Sequence, residues 1–309
     1  MKARAQKVSL GRSHPVVGWL GRKTLLAAAH LPLRGLLALG GALGSTLAVL
    51  PTQARSRSLT NLGLCLPELT EGGRKRISRR ALAAMGGMVL ETGWLWQRDR
   101  EQLIPLAKTV HGQEHLDEAL RQGKGVILAM PHLGSWEFLC LYISALHPLT
   151  SMFRPSRVRE MDALLCAGRG HLGAQLVPAG TFAVRSLRRA LGRGECVVIL
   201  PDTDPKIGQS VFAPFFGVLA NTGTLISRLA KDTDATVLTC FAERLPKGRG
   251  YDLHFEPAHP DVSHPDSQLA VTRLNENIEA LIRRRPEQYL WRYRRFKRRP
   301  NDEPSFYKR

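Results

Sequence analysis

Two ionisable side chains stand at either end of a short turn in the stretch "PHLGSWEF": His132 and, five residues later, Glu137. An imidazole can act as a general base, and a carboxylate on its other ring nitrogen fixes the tautomer and stabilises the imidazolium. Residues five apart on a helix lie roughly 140° apart around the axis, so the pair can meet only across a turn. Pro131 and Gly134 favour such a turn, and Ser135 is a suitable N-cap for the next helix. The pattern predicts deprotonation of an alcohol, although a capping glutamate beside an incidental histidine has the same spacing.

The elements around this pair form a repeating pattern. Short apolar runs, "GVILAM", "CVVIL" and "ATVLTCF", alternate with the amphipathic or apolar stretches "WEFLCLYISAL", "TFAVRSLRRALGRGE" and "TLISRLAKDTD". Strands that alternate with helices of about ten residues are typical of an α/β domain whose sheet is covered on both faces. Ligands in such domains collect at the carboxyl ends of the strands. His132 and Asp202 each follow a predicted strand, so we expect them in one site.

The amino-terminal part differs from the rest. Basic residues occur from Lys2 to Lys23, and an apolar stretch follows from about Leu25 to Ala54. Its uncharged part has about the length that a membrane span requires, although its glycines and Pro51 weaken it as a helix. We predict a basic tail and membrane-anchoring helical segment at 1–54, spanning or interfacial, and a catalytic domain at 55–309. The alternative is a buried helical hairpin.

The chain is strongly basic, with a formal net charge of +19 and a pI near 10.5, which predicts an anionic partner. Basic and aromatic residues are interleaved in "RRRPEQYLWRYRRFKRRP". Such a segment suits single-stranded nucleic acid or a membrane interface. Because the same chain carries an apolar amino-terminal segment, we favour a membrane with anionic lipid and no nucleic acid. The cations predicted to dock on that lipid are Arg292, Arg294, Arg295 and Lys297.

Other chemistries have weaker support. The five cysteines are dispersed, with no CxxC pair and no zinc-ligand spacing, which predicts a reducing compartment, no cofactor and no metal. Ser135 lacks the G-x-S-x-G context of a nucleophilic serine.

Five ordered blocks extend the pattern beyond the His–Glu pair: "NLGLCLPELT", "GKGVILAMPHLGSWE", "MFRPSR" with "GRGHLGAQLVP", "LPDTDPKIGQSVFAPFFG" and "PEQYLWRYRRFKRRP". In these blocks, over most of its length, the chain resembles the late acyltransferases of lipid A assembly, a branch of the lysophospholipid acyltransferase superfamily. It departs from them in "PDTDP", where the family commonly has a glutamine between the aspartates. The E-G-T-R of glycerol-phosphate members is absent, which favours a saccharide lipid as acceptor.

The resemblance implies a single α/β catalytic domain with a mixed, mostly parallel sheet flanked by helices, at the cytoplasmic face of the bacterial inner membrane. It implies direct transfer of a fatty acyl chain from an acyl carrier protein to a hydroxyl of a lipid A precursor. His132 would be the general base, oriented by Glu137. Arg154, Arg169 and Asp202 would bind substrate: an arginine holds a phosphate or polarises the thioester, and Asp202 binds a sugar hydroxyl or braces Arg169.

Several alternatives remain open from the sequence. Arg169 and Asp202 would also be explained by surface ion pairs. The acceptor could instead be a lysophospholipid, ornithine lipid or glycolipid, and the donor coenzyme A. A basic nucleic-acid-binding protein is the rival from another class, and it would be indifferent to loss of His132.

Overall fold

A computed structural model of the protein describes residues 15–156 and 159–307. Its α-helices are, in chain order, α1 (Pro15–Ala29), α2 (Leu33–Val49), α3 (Gln53–Cys65), α4 (Glu71–Leu95), α5 (Arg100–Leu103), α6 (Gln113–Arg121), α7 (Trp136–Leu146), α8 (Arg159–Gly170), α9 (Thr181–Gly192), α10 (Leu225–Thr233) and α11 (Ser267–Arg284). The helices predicted over "WEFLCLYISAL", "TFAVRSLRRALGRGE" and "TLISRLAKDTD" are confirmed as α7, α9 and α10.

The strands form one large sheet and one hairpin. They are β1 (Ala107–His111), β2 (Val126–Ala129), β3 (Leu149–Phe153), β4 (Gln175–Pro178), β5 (Cys196–Ile199), β6 (Ser210–Phe215), β7 (Val218–Gly223), β8 (Thr236–Arg244) and β9 (Tyr251–Pro257). The sheet order is β1-β9-β8-β2-β5-β3-β4, and β6 pairs with β7. Every neighbouring pair in the sheet is parallel except β8 with β9. The predicted mixed, mostly parallel sheet is confirmed.

The central strand β2 is buried on both faces. Ile127 and Ala129 pack into a core with α3, α9, α10 and α11, whereas Val126 and Leu128 pack into a second core with α6 and α7. Successive side chains of a strand point to opposite faces, so one short strand supplies both cores. Because β2 lies between β5 and β8, the residues that follow it emerge in the middle of the sheet edge.

The amino-terminal helices pack against the helices that follow them in the chain. Pro32 lies in the break between α1 and α2, and α2 runs against α4. A Cβ placed on Gly40 or Gly44 would overlap the α4 backbone, and one on Gly86 would overlap α2. Small residues at such a crossing let two helix backbones approach closely. The first part of the predicted basic tail, residues 1–14, lies outside the described residues.

The predicted anchor has a limited counterpart in the structure. Within residues 15–156 and 159–307, no single helix is long and apolar enough to cross a membrane, while the bent pair α2 and α3, at 79°, meets the criterion by length and composition. In α3, however, Leu62 is part of a core and the Asn61 amide donates hydrogen bonds to the backbone oxygens of Trp291 and Tyr293. The α3 half of that pair therefore belongs to the packed domain.

The carboxyl-terminal segment, defined here as residues 289–298, corrects one prediction. Tyr289, Trp291 and Phe296 are buried in the core with α3, and Arg295 is buried beside them. Arg292 and Lys297 are exposed. The prediction that this segment presents its aromatic residues and Arg295 to a membrane is therefore wrong. Sequence composition could not distinguish a surface of cations and rings from a segment that folds back over the core.

Candidate active site

His132 lies directly beyond the carboxyl end of β2, and its ring is held by a buried carboxylate. Nδ1 of His132 lies 2.9 Å from Oδ1 of Asp202, and the His132 backbone N–H donates to Oδ2 of Asp202 at 2.9 Å. The side chains are 22% and 2% exposed, respectively. Asp202 follows β5, the parallel neighbour of β2, which explains how residues 70 positions apart meet. The prediction that His132 and Asp202 share one site is supported by this contact.

The loop between β2 and α7 has a backbone that only glycine fits. Gly134 has φ +62°, and a Cβ there would overlap the carbonyl oxygen of Ala242 in β8. The backbone N–H of Gly134 donates to the oxygen of Gln288, and that of Ser135 donates to the oxygen of Ala242. The loop is therefore fastened on one side to β8 and on the other to the carboxyl-terminal region, which holds His132 in place.

A buried polar network fastens the same loop to α4. The Ser135 hydroxyl donates to Glu91 at 2.8 Å, so Ser135 precedes α7 without making the predicted capping bond. Glu91 also accepts from Arg244 and from the hydroxyl of Tyr251. Arg244 in turn donates to the backbone oxygen of Gly134 at 3.3 Å. The buried Glu91–Arg244 ion pair therefore links α4 and β8 behind the loop between β2 and α7.

Glu137 does not make the expected contact with His132. Its carboxylate accepts two hydrogen bonds from Nε of Arg169, at 2.9 and 3.1 Å, and a further one from Nη2. It also accepts from Nε1 of Trp96 at 3.2 Å. Within the described residues no hydrogen bond joins Glu137 to His132. Spacing along the chain favours the nearest carboxylate, Glu137, whereas the fold brings Asp202 to the ring.

The indole of Trp96 reaches Glu137 across α8. A Cβ at Gly168 would overlap the Trp96 ring, so this glycine makes room for the indole. Arg169, the next residue, is mostly buried and lies on the same stretch of helix. Adjacent residues of "GRGH" thus admit the tryptophan and supply the arginine that binds the carboxylate.

The Asp202 carboxylate is held in its charged form. Burial would raise the pKa of Asp202, but the charge and hydrogen bonds of His132, with the charge of Arg295, hold this pKa below its ordinary value. Burial of Arg169 opposes its charge, yet the neighbouring Glu137 carboxylate raises the pKa of Arg169 above its ordinary value. The site thus contains two separate acid–base pairs, His132–Asp202 and Arg169–Glu137, rather than a His132–Glu137 pair with free arginines.

Arg154 is not joined to these pairs. It is exposed just beyond β3, at the edge of the sheet that carries His132, and within the described residues it forms no hydrogen bond or ion pair. Arg169 and Asp202 each have an ionic partner, but both pairs are largely buried, so the interpretation of either residue as part of a surface ion pair does not match the structure. Asp202 contacts His132 and not Arg169, so the interpretation of Asp202 as a brace for Arg169 does not match it either.

Sequence reasoning missed Trp96, Glu91 and Arg244. A buried role for Glu91 could have been predicted, because it is the one charged residue in the apolar stretch "GGMVLETGWLW". A lone carboxylate in such a stretch is seldom buried without a partner. No metal-binding group of three or more His, Cys, Asp or Glu side chains occurs in the part of the chain that the structure describes.

Comparison with known proteins gives one consistent result. The family model described as bacterial lipid A biosynthesis acyltransferase matches residues 5–298. A lipid A biosynthesis lauroyltransferase of Escherichia coli (strain K12) is 31% identical over 311 residues, which cover 97% of this chain and 98% of that protein. A palmitoleoyltransferase of lipid A biosynthesis from the same strain is 31% identical, covering 94% of each chain. A myristoyltransferase from that strain is 26% identical, covering 94% of this chain and 90% of its own.

Proposed function

The chain belongs to the bacterial lipid A biosynthesis acyltransferases, and on this premise we propose that it transfers a fatty acyl chain from an acyl carrier protein thioester to a hydroxyl of a lipid A precursor. That it is an acyltransferase follows from the family itself. The proposal concerns the donor, the acceptor group and the residues that carry the reaction.

His132 is the general base in this proposal. With Nδ1 bonded to Asp202, the neutral ring carries its proton on Nδ1 and presents Nε2 as the acceptor. The acceptor hydroxyl gives its proton to Nε2 as its oxygen forms the new bond to the thioester carbonyl carbon. When the tetrahedral intermediate collapses, the carbon–sulfur bond breaks and the imidazolium returns that proton to the departing thiolate. The products are an ester and the free thiol of the carrier.

The observation that carries this mechanism is the pairing of His132 with a buried carboxylate at an accessible strand tip. Asp202 is almost fully buried, whereas the imidazole is about one-fifth exposed, so one side of the ring is anchored and the other can meet substrate. A carboxylate in this arrangement stabilises the imidazolium that forms during transfer. An exposed histidine without a partner would not be oriented in this way.

His132→Ala tests the mechanism directly. Loss of a general base lowers the rate by about 10²–10⁴-fold, so turnover with labelled acyl carrier protein should fall by at least 100-fold. The matched control is His115→Ala, which removes a half-exposed histidine from α6. The control should keep the activity of the unmodified protein. Near-normal turnover by a folded His132→Ala protein would contradict the mechanism.

Arg169 and Glu137 form the second pair of the proposed site. Glu137 engages Nε and Nη2 of Arg169, and within the described residues Nη1 makes no hydrogen bond. We assign Nη1 to a polar or anionic oxygen of the substrate, either a phosphate or the thioester carbonyl, while Glu137 sets the orientation of the guanidinium. Arg169→Lys keeps a charge but loses the planar fork, so it should raise KM or lower kcat even though the net charge is unchanged.

The donor and the acceptor are tested by competition. Equal concentrations of acyl carrier protein and coenzyme A thioesters with the same chain should give faster transfer from the carrier protein. A lipid A precursor should be acylated in preference to a lysophospholipid of similar solubility. Faster use of coenzyme A thioester, or of the lysophospholipid, would reject the corresponding part of the proposal and leave acyl transfer itself intact.

Membrane association is proposed at the amino-terminal helices. Leu39 and Leu43 of α2 and Val89 of α4 are more than half exposed, on two helices that pack against each other. Apolar side chains on packed helices suit insertion into one leaflet, which for this reaction is the cytoplasmic leaflet of the inner membrane. Leu39→Asp/Leu43→Asp should weaken flotation with vesicles that contain anionic lipid. Leu219→Asp, on the β6–β7 hairpin, is the matched control and should float normally.

A further inference from the structure

Arg295 is a buried cation that has no close carboxylate. It is 2% exposed, and its guanidinium donates to the backbone oxygens of Asn221 and Thr203 and to the Thr222 hydroxyl. All of these acceptors are neutral. Nε of Arg295 is buried without a hydrogen bond in the described residues, and no carboxylate oxygen there lies within 4.0 Å of the guanidinium. A buried charge is costly unless an opposite charge balances it, so this residue requires an explanation.

The site carboxylate on which the charge of Arg295 acts is Asp202. Among the described residues Asp202 has no ion pair with an arginine or a lysine, and its close partner is the ring of His132. The charge of Arg295 nonetheless acts on the Asp202 carboxylate and favours its ionised form. The two residues are also connected through the backbone, because Arg295 donates at 3.3 Å to the oxygen of Thr203, the residue that follows Asp202.

Tyr289 is a third residue in the environment of Asp202 and Arg295. The ring of Tyr289 is buried in the same core, and burial together with the Asp202 charge raises the pKa of Tyr289 well above its ordinary value. The charge of Arg295 opposes that effect. Tyr289 therefore stays a neutral neighbour of Asp202, and Arg295 is the positive charge that the carboxyl-terminal segment contributes.

We propose that Arg295 is a positioning residue for the acyl-transfer reaction: it holds the Asp202–Thr203 backbone and provides the positive charge beside Asp202, so that Asp202 can orient His132. The carboxyl-terminal segment thereby becomes part of the catalytic apparatus. This inference rests on the proposed role of His132 and Asp202. Arg295 acts through Asp202 and is not expected to touch the substrate.

The first test is a thermal double-mutant cycle, which needs no turnover. Arg295→Gln should lower Tm in the unmodified protein, because it leaves Asp202 without its balancing cation. In the Asp202→Asn background Arg295 is itself the unbalanced buried charge, so Arg295→Gln should lower Tm by several degrees less, or raise it. Arg298→Gln is the matched control, since Arg298 belongs to the same segment but pairs with Asp204 at 2.6 Å. Its effect on Tm should be the same in both backgrounds.

The second test is kinetic. Arg295→Gln should lower kcat by about 10- to 100-fold, the size typical of coupling within one hydrogen-bonded network, and change the KM for the acyl donor little. Arg295→Lys keeps the charge and should retain more activity than Arg295→Gln. In the Asp202→Asn background the further loss of kcat caused by Arg295→Gln should be much smaller.

Two results would overturn the inference. If Arg295→Gln lowered Tm equally in the unmodified protein and in the Asp202→Asn background, Arg295 would only support the β6–β7 hairpin and would not act through Asp202. Equal kcat for the lysine and glutamine variants would mean that its charge is not required. If His132→Ala were active while the thermal coupling persisted, the acyl-transfer mechanism would fail and the Arg295–Asp202 coupling would stand.

Discussion

Asp202→Asn is the substitution that most sharply tests which carboxylate serves His132. In the structure Asp202 accepts two hydrogen bonds from the same residue, from the backbone N–H of His132 and from ring Nδ1, each at 2.9 Å. Asparagine has the same shape but only one accepting oxygen. The backbone N–H is always a donor, so it takes that oxygen, and the amide NH₂ then faces Nδ1.

The consequence for the ring follows from its chemistry. Facing a donor, Nδ1 must become an acceptor, and the ring proton moves to Nε2. That tautomer cannot take a proton from the acceptor hydroxyl. The equivalent change in a serine protease lowers kcat by about 10⁴, and loss of a general base costs at least about 10², so we expect a fall of about 10²–10⁴-fold. Glu137→Gln should cost less, because Glu137 binds Arg169 and Trp96 and leaves the ring in place.

The assay is single-turnover transfer from labelled acyl carrier protein, with folding checked by Tm. Comparison of the two isosteric variants decides between the two carboxylates. If Asp202→Asn kept activity within tenfold of the unmodified protein while Glu137→Gln lost at least 100-fold, the reactive partner of His132 would be Glu137. The reasoning from the observed hydrogen bonds would then be refuted.

Three further predictions concern stability. Gly134→Ala should lower Tm, because a φ of +62° costs a non-glycine residue about 1–3 kcal/mol and the new methyl group would meet a backbone oxygen; an unchanged Tm would contradict this. Glu91→Gln should cost about 3–5 kcal/mol in urea unfolding, because it leaves the buried cation of Arg244 unpaired, whereas the double variant Glu91→Gln/Arg244→Met should recover part of that loss. Burial, with the charges of Arg284 and His111, lowers the pKa of His254 to about 4. Between about pH 6.5 and 4 the unfolded chain therefore binds a proton that the folded chain does not. The free energy of unfolding accordingly decreases as the pH is lowered through this window. His254→Asn should flatten that part of the stability curve, and a curve unchanged in shape would count against the assignment.

Much of the fold was predictable from local pattern. The alternation of uncharged runs with helical stretches identified the strands β2, β5 and β8 and the helices α7, α9 and α10, because strand and helix periodicities are properties of contiguous residues. The same alternation placed His132 and Asp202 beyond strand ends, at one edge of the sheet. The family resemblance of the chain was likewise carried by short contiguous blocks of sequence. The match of the family model to residues 5–298 confirmed that resemblance.

The partners of the charged side chains were decided only by tertiary structure. Spacing along the chain favoured Glu137 for His132, but the adjacency of β2 and β5 brings Asp202 to the ring, and α8 gives Arg169 to Glu137. Composition assigned Arg295 to a membrane surface, yet the chain folds back and buries it. Local sequence determines which residues form strands and helices, because that depends on near neighbours. Ionic pairing depends on strand order and on desolvation, which arise only when distant segments pack together.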